Sequence, residues 1–325
     1  MKTVSLPKTD LAPSVLCLGG VALGSRLDEQ ASFALLDAFV DFGGNFVDTA
    51  KVYADWLPGE RSVSEKTIGR WLRRRGYRSR LIVSTKGAHP ELASMHKPRL
   101  DRKEIDRDLT QSLRNLQVEC IDLYWLHRDD PARPVAPIID ALQEQVAAGK
   151  IRYYGCSNWR AERIAAAQLY AQRRGWTGFV ANQPMWSLAF VASQSLPDPT
   201  MTPMDADLLD LHCASSLPAI PYSSQANGFF ARVAEHALAT MNPAQRTLYE
   251  TPENLRRAAR VQQLAAETGL TITAVVLGYL RSQPFLTIPI VGCHTPEQLA
   301  DSCRAAVTEL TAKQIAFLEG ASPLP

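Results

Sequence analysis

The sequence has little excess charge of either sign and no apolar run long enough to span a membrane. Its 325 residues include 35 Lys and Arg against 33 Asp and Glu, a net charge of +2. This balance argues against a nucleic-acid partner or a membrane-surface partner. No apolar signal-peptide segment follows Met1, so we expect a cytoplasmic protein. These features leave the oligomeric state open.

The sequence also lacks the cysteine spacing of a metal site. None of its six cysteines forms a C-x-x-C pair, and most lie in apolar segments, as buried thiols in a reducing compartment do. Cys213 and Cys293 adjoin His212 and His294, but a metal centre needs more ligands than these pairs supply. We therefore expect no metal site.

What the sequence does contain is an alternation of strand and helix patterns, repeated eight times. The predicted strands cover residues 16–20, 46–48, 81–86, 121–127, 151–157, 179–183, 219–222 and 286–291. The predicted helices cover residues 28–42, 64–75, 101–116, 135–148, 161–174, 205–214, 253–268, 271–281, 296–306 and 312–319.

This alternation predicts one domain over residues 1–325, an α/β fold of the (β/α)8 TIM barrel type. A short N-terminal β-hairpin in residues 4–16 and an extra C-terminal helix would complete it. A doubly wound parallel sheet is the alternative, although the dinucleotide-binding pattern G-x-G-x-x-G is missing. Long loops after the sixth and seventh strands are candidate lids over the barrel mouth.

Four polar side chains stand at or just after the ends of three neighbouring predicted strands. Asp48 and Tyr53 follow the second strand, Lys86 ends the third and His127 ends the fourth. Taken singly, each has an ordinary explanation: a helix cap, a packed phenol, a solvated charge and a hydrogen-bonded core histidine. In a barrel, however, the carboxyl ends of the strands converge on one mouth, so we expect the four side chains to meet there.

Five segments resemble those of the aldo-keto reductase family, in the family's order and along nearly the whole chain. They read D-T-A-K-V-Y from Asp48, S-T-K-G from Ser84, Y-W-L-H-R-D-D from Tyr124, G-C-S-N-W from Gly155 and N-Q-P-M-W from Asn182. The resemblance implies a barrel that reduces an aldehyde or a ketone, or oxidises the alcohol, with a nicotinamide dinucleotide. It also implies catalytic roles for Asp48, Tyr53, Lys86 and His127.

These residue types suit carbonyl reduction. Negative charge develops on the carbonyl oxygen as hydride adds to the carbon, so that oxygen needs a proton or a hydrogen bond. We predict that Tyr53 donates the proton and that Lys86 lowers the pKa of this phenol below its free value of about 10. Asp48 would pair with Lys86, and His127 would hydrogen-bond and orient the substrate oxygen.

The resemblance further implies a cofactor site across the mouth. Ser157, Asn158 and Gln183 carry hydroxyl and amide groups that suit a carboxamide, although Ser and Asn are also common loop residues. Trp186 lies at a spacing where the family commonly has an aromatic residue stacked on the nicotinamide ring, the alternative being a core tryptophan. Gly20, after the first strand, is a further predicted contact.

Two later segments are predicted to bind the phosphates, the loop after the seventh strand and the start of the helix at residues 296–306. Their candidate contacts are Tyr222, Ser223, Gln225, Gly228, Gly292, His294 and Gln298. The loop departs from the family's common Y-S-P-L, whereas Thr295 and Gln298 predict an N-cap and a capping box at a helix end that attracts phosphate. NADP-preferring relatives usually have Lys or Arg near His294 and Gln298; on family frequency we still expect NADP(H), with NAD(H) possible.

Two other functions are open on the sequence alone. The chain also resembles nicotinamide-sensing potassium-channel β subunits, although the short stretch before its first predicted strand speaks against that role. A metal-dependent barrel hydrolase would need a His-x-His pair after the first strand and clustered carboxylates, which the sequence does not offer. The substrate is expected to be a small carbonyl compound or alcohol of unknown identity. Candidate pocket walls are Trp56, Leu57, His89, Met95, His96, Phe229 and Phe230.

Overall fold

A curled parallel sheet is the centre of the fold in the computed structural model, which describes residues 1–324. Its seven strands are β1 (Cys17–Gly19), β2 (Phe46–Asp48), β3 (Ile82–Gly87), β4 (Ile121–Leu126), β5 (Ile151–Ser157), β6 (Phe179–Gln183) and β7 (Ile290–Val291). They lie in the order β6-β5-β4-β3-β2-β1-β7, and every neighbouring pair is parallel. Strands β1 to β6 follow chain order without the reversal of a doubly wound sheet, so that alternative is wrong.

Residues 219–222, predicted as the seventh strand, do not form a regular strand. Ala219 makes isolated parallel bridges to Asn182 of β6 and to Thr287. The Ile220 N–H donates to the Asn182 carbonyl at 2.8 Å, and the Ile288 N–H donates to the Ala219 carbonyl at 2.9 Å. The segment therefore lies between β6 and the residues before β7, but its hydrogen bonding is discontinuous.

Prolines explain why this part of the ring departs from the prediction of eight strands. Pro218 and Pro221 flank the bridging residues, and Pro289 lies directly before β7. Proline has no N–H group to donate to a neighbouring strand, so each one interrupts the ladder. The predicted last strand, 286–291, is accordingly reduced to Ile290–Val291.

Twelve α-helices accompany the strands within residues 1–324. They are α1 (Glu29–Asp41), α2 (Val63–Arg75), α3 (Arg102–Leu116), α4 (Val135–Ala147), α5 (Ala161–Arg173), α6 (Ala206–Ser215), α7 (Phe229–Ala234), α8 (Pro243–Tyr249), α9 (Pro252–Thr268), α10 (Ile272–Arg281), α11 (Pro296–Ala305) and α12 (Ala312–Glu319). All ten predicted helices are present, with ends within one residue of the prediction. In this part of the chain no single helix is long and apolar enough to cross a membrane; the pair α9 and α10, bent by 103°, passes only by combined length and composition.

The chain before β1 reverses direction, as predicted for the N-terminal hairpin. Thr3 and Ser14 form an antiparallel bridge, and the Leu6 N–H donates to the Leu11 carbonyl at 2.9 Å. Leu6 and Leu11 are buried in one apolar cluster with strand residues such as Trp125. The hairpin therefore covers apolar side chains from inside the curled sheet, and their removal from water stabilises it.

Gly155 on β5 lies where the interior has no room for a side chain. A Cβ atom there would lie 2.4 Å from Cζ3 of Trp125 and 2.7 Å from the carbonyl oxygen of Ala181. We expect Gly155→Ala to lower the free energy of unfolding by roughly 1–3 kcal/mol, because neighbouring strands must shift. The midpoint of urea unfolding measures this change. Gly292→Ala, at a position with no neighbouring atom within 4 Å, is the matched control and should keep the wild-type midpoint; equal midpoints for both variants would contradict the packing.

Candidate active site

The ends of β2, β3 and β4 bring the four predicted catalytic side chains together. The Lys86 ammonium donates to the Asp48 carboxylate, to the Tyr53 hydroxyl at 2.9 Å and to the Thr49 carbonyl at 2.8 Å. The His127 ring lies beside Tyr53, with the ring centroids 6.0 Å apart. One ammonium group thus connects the carboxylate to the phenol, and the imidazole lies next to that phenol.

The alternation of side chains along β3 explains this arrangement. Ser84 and Lys86 are two residues apart, so both point to the same face of the sheet. Ser84 donates to the Asp48 carboxylate at 2.6 Å, and Gln183 donates to the same oxygen at 3.3 Å. Asp48 and Lys86 are each only 1% exposed. The buried carboxylate therefore receives hydrogen bonds from three side chains, which compensates for its loss of water.

The electrostatics keep Lys86 charged. Burial acts to lower its pKa, but the Asp48 carboxylate and then the Tyr53 oxygen more than offset that effect, so the pKa of Lys86 lies above its ordinary value. An ammonium that stays protonated keeps all three of its hydrogen bonds, and so keeps Tyr53 oriented.

The predicted lowering of the Tyr53 pKa is wrong. Burial raises the pKa of Tyr53 above its ordinary value of 10, and the nearby Lys86 charge offsets only part of that rise. The physical reason is that desolvation penalises the phenolate more than one ammonium stabilises it. Tyr53 is therefore protonated at neutral pH, which is the form that can give up a proton.

His127 is neutral and presents one nitrogen to the mouth. Burial lowers its pKa well below the ordinary value, and the neighbouring His89 and Arg128 lower it further. Its Nδ1 is buried without a hydrogen-bond partner among residues 1–324, whereas its Nε2, which has no protein partner either, is not buried. Because a buried N–H without an acceptor is rare, we assign the proton to Nε2. His127 can then donate a hydrogen bond into the mouth.

Asn158 is a predicted carboxamide contact, but both polar atoms of its side chain already form hydrogen bonds within the protein. Its Nδ2 group donates to the His127 carbonyl at 3.1 Å and to Ser157 Oγ at 3.0 Å. Its Oδ1 accepts from the Thr202 N–H at 3.1 Å and from the Tyr222 hydroxyl at 2.7 Å. The role that this geometry supports for Asn158 is to connect the ends of β4 and β5 to the later loops.

The Gln183 side chain has one amide atom without a hydrogen-bond partner. Its Nε2 donates to Asp48, while its Oε1 is buried with no partner in the part of the chain that the structure describes. An unpaired buried acceptor at the mouth suits the NH2 group of a carboxamide. Ser157 lies beside it and donates to the Gln183 carbonyl at 2.8 Å, with an acceptor lone pair left over. Gln183 and Ser157 therefore fit the cofactor that the resemblance implies.

Trp186 packs in an apolar cluster, as the alternative interpretation expected. Its ring stacks on Phe285, with centroids 5.9 Å apart, and meets Tyr279 at 6.2 Å. It lines a cavity of about 200 Å³ to which none of the four predicted catalytic residues contributes. Its stacking on a nicotinamide ring stays a prediction. Gly20, buried next to Asp48, donates its N–H to the Asp48 carbonyl at 2.7 Å.

The loop after residue 222 has a backbone suited to anions. Ser223 and Gly228 both have positive φ angles, 55° and 79°, and the N–H groups of Ser224 and Gln225 donate to no acceptor in residues 1–324. Successive N–H groups in such turns form concave anion sites. The Gln225 side chain reaches Ser302 on α11 at 3.4 Å, so this loop lies against the second predicted phosphate segment.

The start of α11 differs from the predicted capping box in one contact. Thr295 is the N-cap and accepts from the Gln298 N–H at 3.3 Å, but the Gln298 side chain accepts from the His294 N–H at 2.9 Å instead of the Thr295 N–H. Burial lowers the pKa of His294, and the positive charges of Arg26 and Arg232 lower it further. Two arginine side chains therefore lie close enough to His294, two residues after Gly292, for their charges to act on its ring.

Sequence reasoning missed several of these residues. Ser84 could have been found from its spacing two residues before Lys86 on one strand. Arg128, directly after His127, is buried and donates to Thr200 at 2.8 Å and to Asp198 at 3.0 Å, which connects the strand end to the loop after β6. Arg26 and Arg232 gave no local signal, since they are far apart in sequence and both act on His294 only in the folded chain.

The chain is similar to known oxidoreductases along nearly its whole length. The model of the Aldo/keto reductase family matches residues 15–322. The chain is 30% identical to the uncharacterized oxidoreductase YrpG of Bacillus subtilis (strain 168), over 100% of this chain and 97% of the relative. It is 29% identical to an aryl-alcohol dehydrogenase (NADP(+)) of Phanerodontia chrysosporium, over 98% of this chain and 84% of the relative. It is 28% identical to the aldo-keto reductase ausK of Aspergillus calidoustus, over 96% of this chain and 80% of the relative. The chain belongs to the aldo/keto reductase family of oxidoreductases.

Proposed function

We propose that this protein reduces aldehydes or ketones to alcohols, or runs the reverse reaction, with NADP(H) and with Tyr53 as the proton donor and acceptor. The observation that supports this most directly is the Lys86 ammonium, bonded at once to Asp48 and to Tyr53 beside a neutral His127. We further propose that the segment 218–222 completes a closed barrel of eight segments and that residues 1–325 form one domain.

The chain's own residues have separate tasks in this mechanism. When bound, the nicotinamide supplies the hydride to the carbonyl carbon. His127 donates its Nε2–H to the carbonyl oxygen and orients it, and Tyr53 gives its proton to that oxygen as negative charge develops there. Lys86 stabilises the phenolate that remains, and Asp48 keeps Lys86 charged.

The preference for NADP(H) is supported by the basic side chains around the start of α11. Arg26, Arg232 and His294 lie close enough for the two guanidinium charges to act on the imidazole. Neither Arg26 nor Arg232 forms a salt bridge within residues 1–324, so both charges are available to a ribose 2′-phosphate. The aryl-alcohol dehydrogenase (NADP(+)) among the relatives supports aromatic aldehydes as the first substrates to test.

Tyr53→Phe tests the proton-donor role. We expect this variant to bind NADPH normally and to reduce benzaldehyde about 10²–10⁴-fold more slowly, because its ring cannot donate a proton. Stopped-flow NADPH oxidation measures the rate, and quenching of protein fluorescence measures cofactor affinity. Tyr222→Phe, which also removes one mouth hydroxyl, is the control and should lose far less. Near-normal turnover by Tyr53→Phe would remove Tyr53 from this role, and wild-type turnover without a partner would reject a purely sensing subunit.

Replacing both Arg26 and Arg232 by Ala tests the cofactor preference. We expect the dissociation constant for NADPH to rise about tenfold or more, because a phosphate loses charged hydrogen-bond donors, while NADH affinity stays unchanged. Isothermal titration calorimetry with each cofactor measures both values. Arg304→Ala, at the opposite end of α11, is the matched control. Equal binding of NADH and NADPH by the wild type would contradict the proposal.

The pH dependence follows from the raised pKa of Tyr53. Reduction needs the protonated phenol, so its kcat should be flat from about pH 7 to about pH 9 and should fall only above pH 10. Oxidation of the alcohol needs the phenolate, so its rate should rise with pH. In the double variant Asp48→Asn, Lys86→Met the main group that lowers the Tyr53 pKa is gone, which should move this rise to higher pH. A shift to lower pH would contradict the assignment.

A further inference from the structure

His89 lies against the imidazole that would orient the substrate, and the mechanism above does not use it. It belongs to the loop after β3 and is 7% exposed. Its ring meets the His127 ring edge to face, with centroids 4.7 Å apart and planes at 67°. Any substrate oxygen that accepts a hydrogen bond from His127 therefore comes close to His89.

The hydrogen bond of His89 to the backbone fixes its tautomer. Its Nδ1 lies 2.7 Å from the Pro90 carbonyl oxygen, which can only accept, so Nδ1 carries the proton and Nε2 is a bare acceptor. Burial and the Arg128 charge lower the pKa of His89 to about 4, so this state persists at neutral pH. Its Nε2 has no donor in residues 1–324 and is not among the buried unpartnered atoms, so it is open to a ligand.

The loop keeps His89 in place at the cost of backbone strain. Ala88 adopts a φ of 58°, which a residue with a Cβ atom rarely does. The Asp108 carboxylate accepts from the Ala88 N–H at 3.0 Å and from Arg99 at 2.9 Å, and Arg99 donates to the His89 carbonyl at 2.7 Å. With Asp108 1% exposed, a buried carboxylate and an arginine together compensate for the strained turn.

Space for a small polar group lies beside the His89 imidazole. A cavity of about 80 Å³, to which neither Tyr53 nor His127 contributes, is lined by Lys86, Gly87, His89 and Pro90, by the apolar Val52 and Leu92, and by six further charged residues. Lys51 is one of these, and it forms an ion pair with Asp108 at 3.4 Å. The walls are polar, so the cavity suits a hydroxyl group better than an alkyl group.

We propose that His89 is a specificity-determining residue that selects carbonyl substrates with a hydroxyl group on the carbon next to the carbonyl carbon. The carbonyl oxygen accepts from Nε2–H of His127, and the neighbouring hydroxyl donates to Nε2 of His89. Two rings 4.7 Å apart can reach two oxygens on adjacent carbons. This inference rests on the proposed carbonyl reduction, and it names the substrate class of that same site.

The test uses two aldehydes that differ by one hydroxyl, propanal and 2-hydroxypropanal, with NADPH and the full chain. We expect the wild type to favour 2-hydroxypropanal in kcat/KM by about five- to tenfold, the value of one hydrogen bond. His89→Phe removes the acceptor and should reduce this ratio to about one by losing only the hydroxyaldehyde rate. His89→Gln, whose Oε1 can replace Nε2 as an acceptor, should restore part of the preference. NADPH affinity and the thermal midpoint serve as folding controls.

The outcomes separate this inference from the proposed function. If the wild type reduces both aldehydes with equal kcat/KM, or if His89→Phe lowers both rates in proportion, His89 does not recognise a hydroxyl although carbonyl reduction stands. If the wild type reduces neither these aldehydes nor aromatic ones, the proposed function fails and this inference fails with it. Loss of the preference in His89→Phe and its return in His89→Gln support the assignment.

Discussion

The ion pair between Lys86 and Asp48 is the constraint on which the rest of the site depends. Both residues are 1% exposed, in a position where an isolated ammonium or carboxylate would be neutralised by its own desolvation. The Asp48 charge raises the pKa of Lys86, so the ammonium stays charged. Ser84 and Gln183 donate to the carboxylate, while the Thr49 carbonyl accepts from the ammonium. The parallel register pairs Asp48 with Ser84, which brings Lys86, two residues further along β3, within hydrogen-bonding distance of Asp48. The ion pair therefore follows from the strand pairing.

Local features of the sequence were enough to predict ten of the twelve helices in residues 1–324, all but α7 and α8, but not the closure of the sheet. Helix ends follow from side chains such as Asp28, Asp101 and Thr311, which accept from the backbone N–H three residues on, and these signals need no tertiary contact. Closure depends on which N–H groups face the next strand. Pro218 and Pro221 remove two of these donors, a consequence that periodicity alone did not reveal.

The site divides in the same way between local and nonlocal information. Strand-end residues such as Lys86 and His127 could be placed together because consecutive parallel strands are neighbours. The basic side chains Arg26 and Arg232 could not be grouped, since they meet His294 only after the ends of the sheet approach each other. The prediction of a lowered Tyr53 pKa was wrong for a related reason. The sequence indicates the charged neighbour Lys86, whereas the burial of Tyr53, which has the larger effect on its pKa, arises only in the folded state.

The protonation states of Tyr53, His127 and Lys86 decide which groups can donate a hydrogen bond to a substrate oxygen. Burial keeps Tyr53 protonated and His127 neutral, while Lys86 stays positive. The Asp48 carboxylate accepts hydrogen bonds from three side chains, which compensate for its burial. A substrate oxygen beside Tyr53 and His127 therefore meets two hydrogen-bond donors. Because these donors are fixed before the substrate arrives, little reorganisation is needed when negative charge develops on that oxygen, and this preorganisation favours an alkoxide over the neutral carbonyl.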